Sequence, residues 1–181
     1  MNHHLPFSKE AQEMKSKYQN GFSLIELLIV VAVVGIVSAI AIPNLLASRR
    51  AANEASALAT MRIIASSEAA YQTTAGSGSY GNLADLRAHG FVDSVVAAAG
   101  IGGGTAKSGY LFAAANVTGA GAPAFDAIAQ PSIHTSISTT SATGSRSFFV
   151  NEAGVIFFNN TGTAPTCTAD STRAVTGTVF K

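Results

Sequence analysis

Several residue types are scarce in this chain of 181 residues, which has no tryptophan and one cysteine, Cys167. A single cysteine cannot form a disulfide within the chain, so a disulfide-stapled scaffold is excluded. Only 12% of the residues are charged, and the formal net charge is +1. This balance gives no indication of nucleic acid or of an acidic substrate as a partner.

A long apolar run extends from Phe22 to Ile42, and Glu26 is its only charged residue. At about 1.5 Å per residue, a helix of this length extends about 30 Å, the thickness of a bilayer's hydrocarbon core. Residues 22–42 are therefore predicted to form a transmembrane helix. A carboxylate in such a helix costs roughly 2.5–3.5 kcal/mol near the centre and less toward the end. Because leucine would suit a plain anchor better, Glu26 is a candidate functional residue.

Residues 43–75 continue the helical pattern past Pro43 and toward Tyr71. Apolar residues recur there with a helical period, which predicts an amphipathic helix that packs on a sheet or another helix. The expected apolar stripe consists of Ala51, Ala52, Ala55, Leu58, Ala59, Ile63, Ala65, Ala69 and Ala70, and the expected opposite face of Arg50, Asn53, Glu54 and Glu68.

Residues 76–181 have the composition of a β-rich domain. The Gly/Ser cluster at 76–79 is predicted to end the long helix, and a helical turn is expected over Leu83–His89. Asn151–Gly154 has the composition of a hairpin turn, with Gly154 at a positive φ. Residues 161–181 are polar and threonine-rich, which fits either a surface loop or a loosely held final strand. The predicted strands are Tyr110–Ala115, Ala124–Ala129, Ser147–Val150 and Val155–Phe158.

The stretch from Gly21 to Val30 reads GFSLIELLIV and follows a polar leader with several lysines. An ordinary secretory signal has a shorter apolar core, of about 7–15 residues, followed by its cleavage site. Here a glycine precedes the run instead. The segment resembles the prepilin processing site of type IV pilins and of the related type II secretion pseudopilins. The resemblance implies a leader over residues 1–21 and an α+β pilin fold, a long N-terminal helix packed on a three- or four-stranded antiparallel sheet.

The resemblance also implies two modifications made to this chain. A membrane aspartic prepilin peptidase would cut between Gly21 and Phe22, and the new amino group of Phe22 would be methylated from S-adenosylmethionine. Lys15 and Lys17 agree with a leader that stays in the cytoplasm. The leader is long for the type IVa group, which suggests Met14 as an alternative start.

In this family the acid at the position of Glu26 is thought to attract the terminal amine of a neighbouring subunit during assembly. The resemblance implies a kink or locally unwound stretch between Gly35 and Pro43, whereas Pro43 by itself could equally mark the end of the helix. It also implies an assembly platform and a motor ATPase as partners, since this chain contains no phosphate-binding loop of its own.

Three classes of function remain from the sequence. The first is a structural subunit of a type IV pilus, held in the inner membrane as a precursor and polymerised into an extracellular filament for adhesion, motility or DNA uptake. The second, a type II secretion pseudopilin, is less favoured because tryptophan and the typical calcium-binding loop are missing. The third is a membrane-anchored enzyme.

Catalysis finds little support in the sequence, so no enzyme activity, cofactor or metal site is predicted. His89 and His134 have no close acid or thiol partner and are expected to be surface histidines. Asp85, Asp93 and Asp126 have no metal-ligand spacing, and neither has Asp170. DNA binding is possible but unsupported, because basic and acidic side chains balance after residue 21. Cys167 is expected to be inert or buried.

Overall fold

The computed structural model describes residues 21–135, 140–169 and 172–181. Their contacts divide the chain into two units, with the division between Ala41 and Ile42. The elements are the helices α1 (Leu24–Thr73), α2 (Leu83–Ala88) and α3 (Ser94–Ala98) and the strands β1 (Tyr110–Val117), β2 (Ala124–Pro131), β3 (Ser147–Asn151), β4 (Ile156–Asn159) and β5 (Thr178–Val179). This order of elements confirms the predicted α+β class with a long N-terminal helix.

The strands form one antiparallel sheet in the order β1-β2-β3-β4-β5, so each strand pairs with its neighbours in sequence. The four predicted strands are confirmed, with ends that differ by one or two residues. The sheet has five strands rather than three or four, because Thr178–Val179 pairs with Phe157 and Phe158. The final strand anticipated within residues 161–181 is therefore present, although it is only two residues long.

The β3–β4 connection is the predicted tight turn. Gly154 has a φ of +71°, which a residue without a Cβ adopts at no steric cost. Its amide donates to the carbonyl of Asn151 at 2.9 Å. The Asn151 side chain accepts from the amide of Ala153 at 3.2 Å, as asparagine commonly does in turns.

Two short helices follow α1, and each begins with a side-chain cap. Asn82 accepts hydrogen bonds from the amides of Ala84 and Asp85, while Asp85 accepts from the amide of Asn82 at 3.0 Å. This reciprocal capping box satisfies amides that the first helical turn leaves unpaired, and it confirms the helix expected after residue 82. The helix α3 was not predicted, and Asp93 caps it by accepting from the amide of Val96 at 2.7 Å.

The hydrophobic core lies between the second half of α1 and one face of the sheet. On α1 the buried positions Ala57, Met61, Ile64 and Glu68 follow one another at intervals of four and three residues, the spacing of one helix face. The sheet contributes Tyr110, Phe112, Ala114, Phe125, Ala127, Ala129, Phe148, Val150 and Ile156.

The predicted apolar stripe of α1 is wrong. Of its members only Leu58 is buried, Ala65 and Ala70 are half-buried, and the others are exposed. The expected polar face is also wrong, because Glu68 is buried and Asn53 and Glu54 contact residues 143–145. The reason is physical: alanine gains little from burial, whereas a polar side chain can be buried where it finds a hydrogen-bond partner.

Candidate functional site

The N-terminal segment places the predicted processing residues just before α1. Gly21, Phe22 and Ser23 precede the helix, and the carbonyl of Ser23 accepts from the amide of Leu27 at 3.2 Å. Phe22 is exposed. Glu26 is the one acid in the first helical turn, where the positive end of the helix dipole favours a carboxylate.

The apolar residues of the first unit have no buried side chain between Phe22 and Ile42. Leu24 is 80% exposed and Ile36 is 66% exposed. The helix is long and apolar enough to cross a membrane, by length and composition. Apolar surface all around a helix indicates surroundings of lipid or of other apolar helices, so this segment needs a partner other than water.

Gly35 and Pro43 both lie inside α1, which runs on as far as Thr73. The interpretation of Pro43 as the end of the helix is therefore wrong. A proline inside a helix still removes one backbone donor and crowds the carbonyl four residues earlier, here that of Ala39. The kink between Gly35 and Pro43 stays a prediction.

Two polar side chains connect α1 to the loop before β3. Oε1 of Glu54 accepts from the amide of Ser145 at 2.8 Å and from its hydroxyl at 2.6 Å, and Arg146 lies 3.8 Å from Oε2. One residue earlier, the side-chain amide of Asn53 donates to the carbonyl of Thr143 at 2.9 Å. The loop is thus held against the helix by directional contacts, which apolar packing alone does not provide.

The C-terminal segment is held by an ion-pair cluster centred on Arg173. The guanidinium donates to Glu152 at 2.8 and 2.9 Å and also to Asp126. It donates to the backbone carbonyls of Phe125 and Thr168 as well. These partners lie on β2, on the β3–β4 turn and in the segment itself, so one side chain ties three parts of the domain together.

Arg173 and Glu152 stabilise each other's charge, whereas burial raises the pKa of Asp126 against the opposing hydrogen bond and charge of Arg173. Hydrogen bonds to Glu152 first, and then to Asp126, raise the pKa of Arg173. Burial raises the pKa of Glu152, but the opposing hydrogen bonds and charge, led by those of Arg173, leave it below its ordinary value. The segment, predicted to be either pinned by strand pairing or mobile, is held by β5 and by Arg173.

Cys167 lies beside this cluster and is partly exposed. Its sulfur accepts from the side-chain amide of Asn151 at 3.8 Å. Burial raises the pKa of the thiol, which lowers the fraction of reactive thiolate near neutral pH. This environment agrees with the inert thiol expected from the sequence.

The remaining candidate residues have structural contacts. His89 is exposed as predicted, but His134 is only 4% exposed, so the prediction of a surface histidine at that position is wrong. A ring nitrogen of His134 lies 2.9 Å from the carbonyl of Ser145, which compensates its burial. Within the described ranges no three His, Cys, Asp or Glu side chains cluster as metal ligands would. Asp170, Met14, Lys15 and Lys17 lie outside the described residues.

Comparison with known proteins bears on the N-terminal segment. The model of the prokaryotic N-terminal methylation motif matches residues 16–42. The type IV wide pilus major component PilA4 of Thermus thermophilus is 62% identical over 34 residues, which is 19% of this chain and 26% of that protein. The match thus spans about a quarter of that curated relative. No solved structure gives a significant match.

The N-terminal segment of this chain is therefore similar to that of a type IV pilin, and it matches the prokaryotic N-terminal methylation motif. Together with the apolar helix, it supports a subunit of a pilus or pseudopilus.

Proposed function

We propose that this chain is a structural subunit of a type IV pilus, polymerised into an extracellular filament. Residues 1–21 are the leader, 22–42 the membrane and filament-core part of the helix, 43–75 its amphipathic part, and 76–181 the β-rich head. The observation that carries the proposal is the apolar segment after Phe22, whose side chains are all exposed or half-exposed and which lies within the match to the N-terminal methylation motif.

Processing occurs between Gly21 and Phe22, by a prepilin peptidase at the cytoplasmic side of the inner membrane. The position of both residues ahead of α1 supports this step, because a peptidase needs extended backbone rather than helix. The same enzyme methylates the amine of Phe22 with S-adenosylmethionine as the donor. The amine is a cation near neutral pH, and it exists only after the cut.

Glu26 then guides assembly. Its carboxylate attracts the amine of Phe22 in a neighbouring copy that is already in the filament. A subunit that docks out of register buries this carboxylate without a partner, which is strongly unfavourable in a medium of low dielectric constant. The pair therefore selects one register.

The apolar helix moves from lipid into a bundle of identical helices, and both environments are similarly apolar. Little hydrophobic free energy is gained at this step, so extraction from the inner membrane depends on an assembly platform and a motor ATPase. The helix bends or partly unwinds between Gly35 and Pro43 to fit the filament. Faster amide exchange at residues 39–42 in wild-type filaments than in filaments of Pro43→Ala would support this bend, and equal exchange would contradict it.

The decisive experiment is mass spectrometry of filaments sheared from the cell surface. We expect this chain in the sheared fraction, with methylated Phe22 as its first residue. A different N-terminus would contradict the processing step. Retention of the processed chain in the periplasm, with none at the surface, would contradict the pilus and favour the pseudopilus instead.

A further inference from the structure

A buried acid in the last third of α1 has no role in the proposed assembly. Glu68 is 0% exposed. Its Oε2 accepts a hydrogen bond from the amide of Gly81 at 3.0 Å, and its Oε1 has no hydrogen-bond partner among the described residues. An ionised carboxylate ordinarily accepts several hydrogen bonds, so this site stabilises the charged form poorly.

The connection between α1 and α2, residues 74–82, covers this carboxyl group tightly. A Cβ on Gly76 would lie 2.8 Å from the ring of Tyr71 and 2.1 Å from the carbonyl oxygen of Ser79. A Cβ on Gly81 would lie 3.1 Å from the same ring. The connection therefore approaches Tyr71 of α1 as closely as glycine allows, and its Gly81 amide contacts the buried carboxyl group of Glu68.

The groups around Glu68 do not compensate a negative charge. Asp85 on α2 carries a charge of the same sign, and Tyr80 is a phenol that carries no positive charge. In the described part of the chain, no lysine, arginine or histidine forms an ion pair with Glu68. The ring of His89 packs edge-on against Tyr71 and contacts the backbone carbonyl of Asp85.

The expected consequence is a high proton affinity. Burial raises the pKa of Glu68 to about 7; the Gly81 hydrogen bond lowers it and Asp85 raises it further. The carboxyl group therefore gains or loses its proton near neutral pH while the connection is closed.

We propose that Glu68 and the amide of Gly81 form a pH-sensitive latch, which holds residues 74–82 against α1 when the carboxyl group is protonated and loosens them as it ionises. Residues 73–75 and 77–79 are exposed. Loosening the latch therefore changes the surface that this part of the head presents to solvent and to neighbouring molecules.

The direction follows from the two protonation states. In the open connection Glu68 is hydrated and has an ordinary pKa of about 4.3. In the closed form the pKa of Glu68 is raised, so this form is most stable, relative to the open form, below about pH 4.3. Its stability falls as the pH rises from there toward 7, and above pH 7 it changes little. Between pH 5 and pH 8 the opening constant rises by roughly 75-fold.

Hydrogen exchange on the full-length chain in neutral detergent tests the latch. Protection of the Gly81 amide, corrected for intrinsic exchange, should fall by roughly 75-fold between pH 5 and pH 8. Protection of the β2 amides should stay well above that of Gly81 at every pH, although unfolding also hydrates Glu68, and this gap separates loosening of the connection from global unfolding. Constant protection at Gly81 would overturn the proposal.

Two variants assign the effect to Glu68. In Glu68→Gln an amide of the same shape replaces the acid, and the pH dependence should disappear; its persistence would overturn the proposal. Asp85→Asn keeps a capping oxygen for Asn82 but removes the neighbouring charge. The pH at which Glu68 is half-ionised in the closed form should therefore fall. If Glu68→Gln fails to fold, Asp85→Asn becomes the test. The pH midpoint of the loss of Gly81 protection should then shift, and an unshifted midpoint would overturn the assignment to Glu68.

Discussion

The two parts of α1 differ in how far their side chains are exposed. From Leu24 to Ile42 the apolar residues are exposed in every direction, whereas Ala57, Met61 and Ile64 are buried against the sheet. The first part has one acid, Glu26, which is exposed; the second has Glu54 and Glu68, which both accept hydrogen bonds from the head.

This difference shows where each part finds its partner. The second part satisfies its apolar and polar groups within the same chain, so its role is to fold the head. The first part leaves its apolar side chains exposed, and apolar surface on this scale signals a membrane or another protein. The same division distinguishes substitutions that affect assembly from those that affect folding.

The largest effect is expected for Glu26→Ala. If Glu26 pairs with the amine of Phe22 in a neighbouring copy, its loss leaves a buried cation unpaired, and breaking such a pair costs about 3–5 kcal/mol. The yield of sheared filaments should fall by at least about tenfold, while leader removal continues. Immunoblots of membrane and sheared fractions measure both.

A matched control separates charge from helix packing. Ile25→Ala shortens the neighbouring side chain, which is also exposed, and should leave filament yield close to wild type. Glu26→Gln keeps the shape and removes the charge, so it should behave like Glu26→Ala. Normal filaments from Glu26→Gln would refute the pairing.

The second prediction compares one substitution at two places in the same helix. Ile64 is 0% exposed and Ile36 is exposed. Ile64→Ala should lower the free energy of unfolding of the head by about 2–5 kcal/mol, because it removes buried methyl groups and leaves a cavity. Ile36→Ala should change it by less than about 0.5 kcal/mol. Urea unfolding of the full-length chain in detergent measures both values.

Equal losses from the two variants would contradict the division of α1 into a folding part and an exposed part. Loss of filaments in Ile36→Ala, with head stability unchanged, would sharpen it, because that residue would then act only in assembly.

Local sequence chemistry predicted most of the fold. The turn at Gly154 and the apolar runs on either side of it located the β3–β4 hairpin, because both signals act over a few residues. The helix α3 was missed, since its five residues contain no helical period and Asp93 was read as one of several scattered acids.

Long-range contacts could not be predicted in this way. The spacing of Ala57, Met61, Ile64 and Glu68 fits one helix face, but an acid is not counted as apolar, so the stripe was placed on the exposed alanines. No sequence pattern predicted the ion pairs of Arg173, because its partners Asp126 and Glu152 are distant in sequence.

The third prediction concerns Arg173→Met, which keeps much of the length of the side chain and removes its charge. The variant should lose about 1–3 kcal/mol of stability, since charge-assisted hydrogen bonds to Glu152 and Asp126 disappear. Cys167, which lies beside the cluster, should become more accessible and react faster with a maleimide, although loss of the Arg173 charge by itself raises the pKa of the thiol and slows the reaction. Urea unfolding and thiol labelling at pH 7 measure the two effects, and an unchanged labelling rate would contradict the role of Arg173 in holding the segment.

The stabilisation by Arg173 should also depend on pH. The pKa of Glu152 is lowered in the folded state, so the stability from this group is present above about pH 4.3, the ordinary value, and is lost as the pH falls through the folded value. The difference in stability between wild type and Arg173→Met should therefore shrink in acid. A difference that grows between pH 5 and pH 3 would contradict this account.

The smallest effect is expected at Glu54, which joins the helix to the loop before β3. Glu54→Gln keeps an oxygen that accepts from the amide and hydroxyl of Ser145, and it loses only the charge that faces Arg146 at 3.8 Å. Because that arginine side chain is 42% exposed, solvent screens the pair and its loss should cost less than about 1 kcal/mol. Glu54→Ala removes the acceptor as well and should cost about 1–3 kcal/mol. Urea unfolding compares the two variants: equal costs would mean that the charge, rather than the hydrogen bonds to Ser145, holds the loop on the helix.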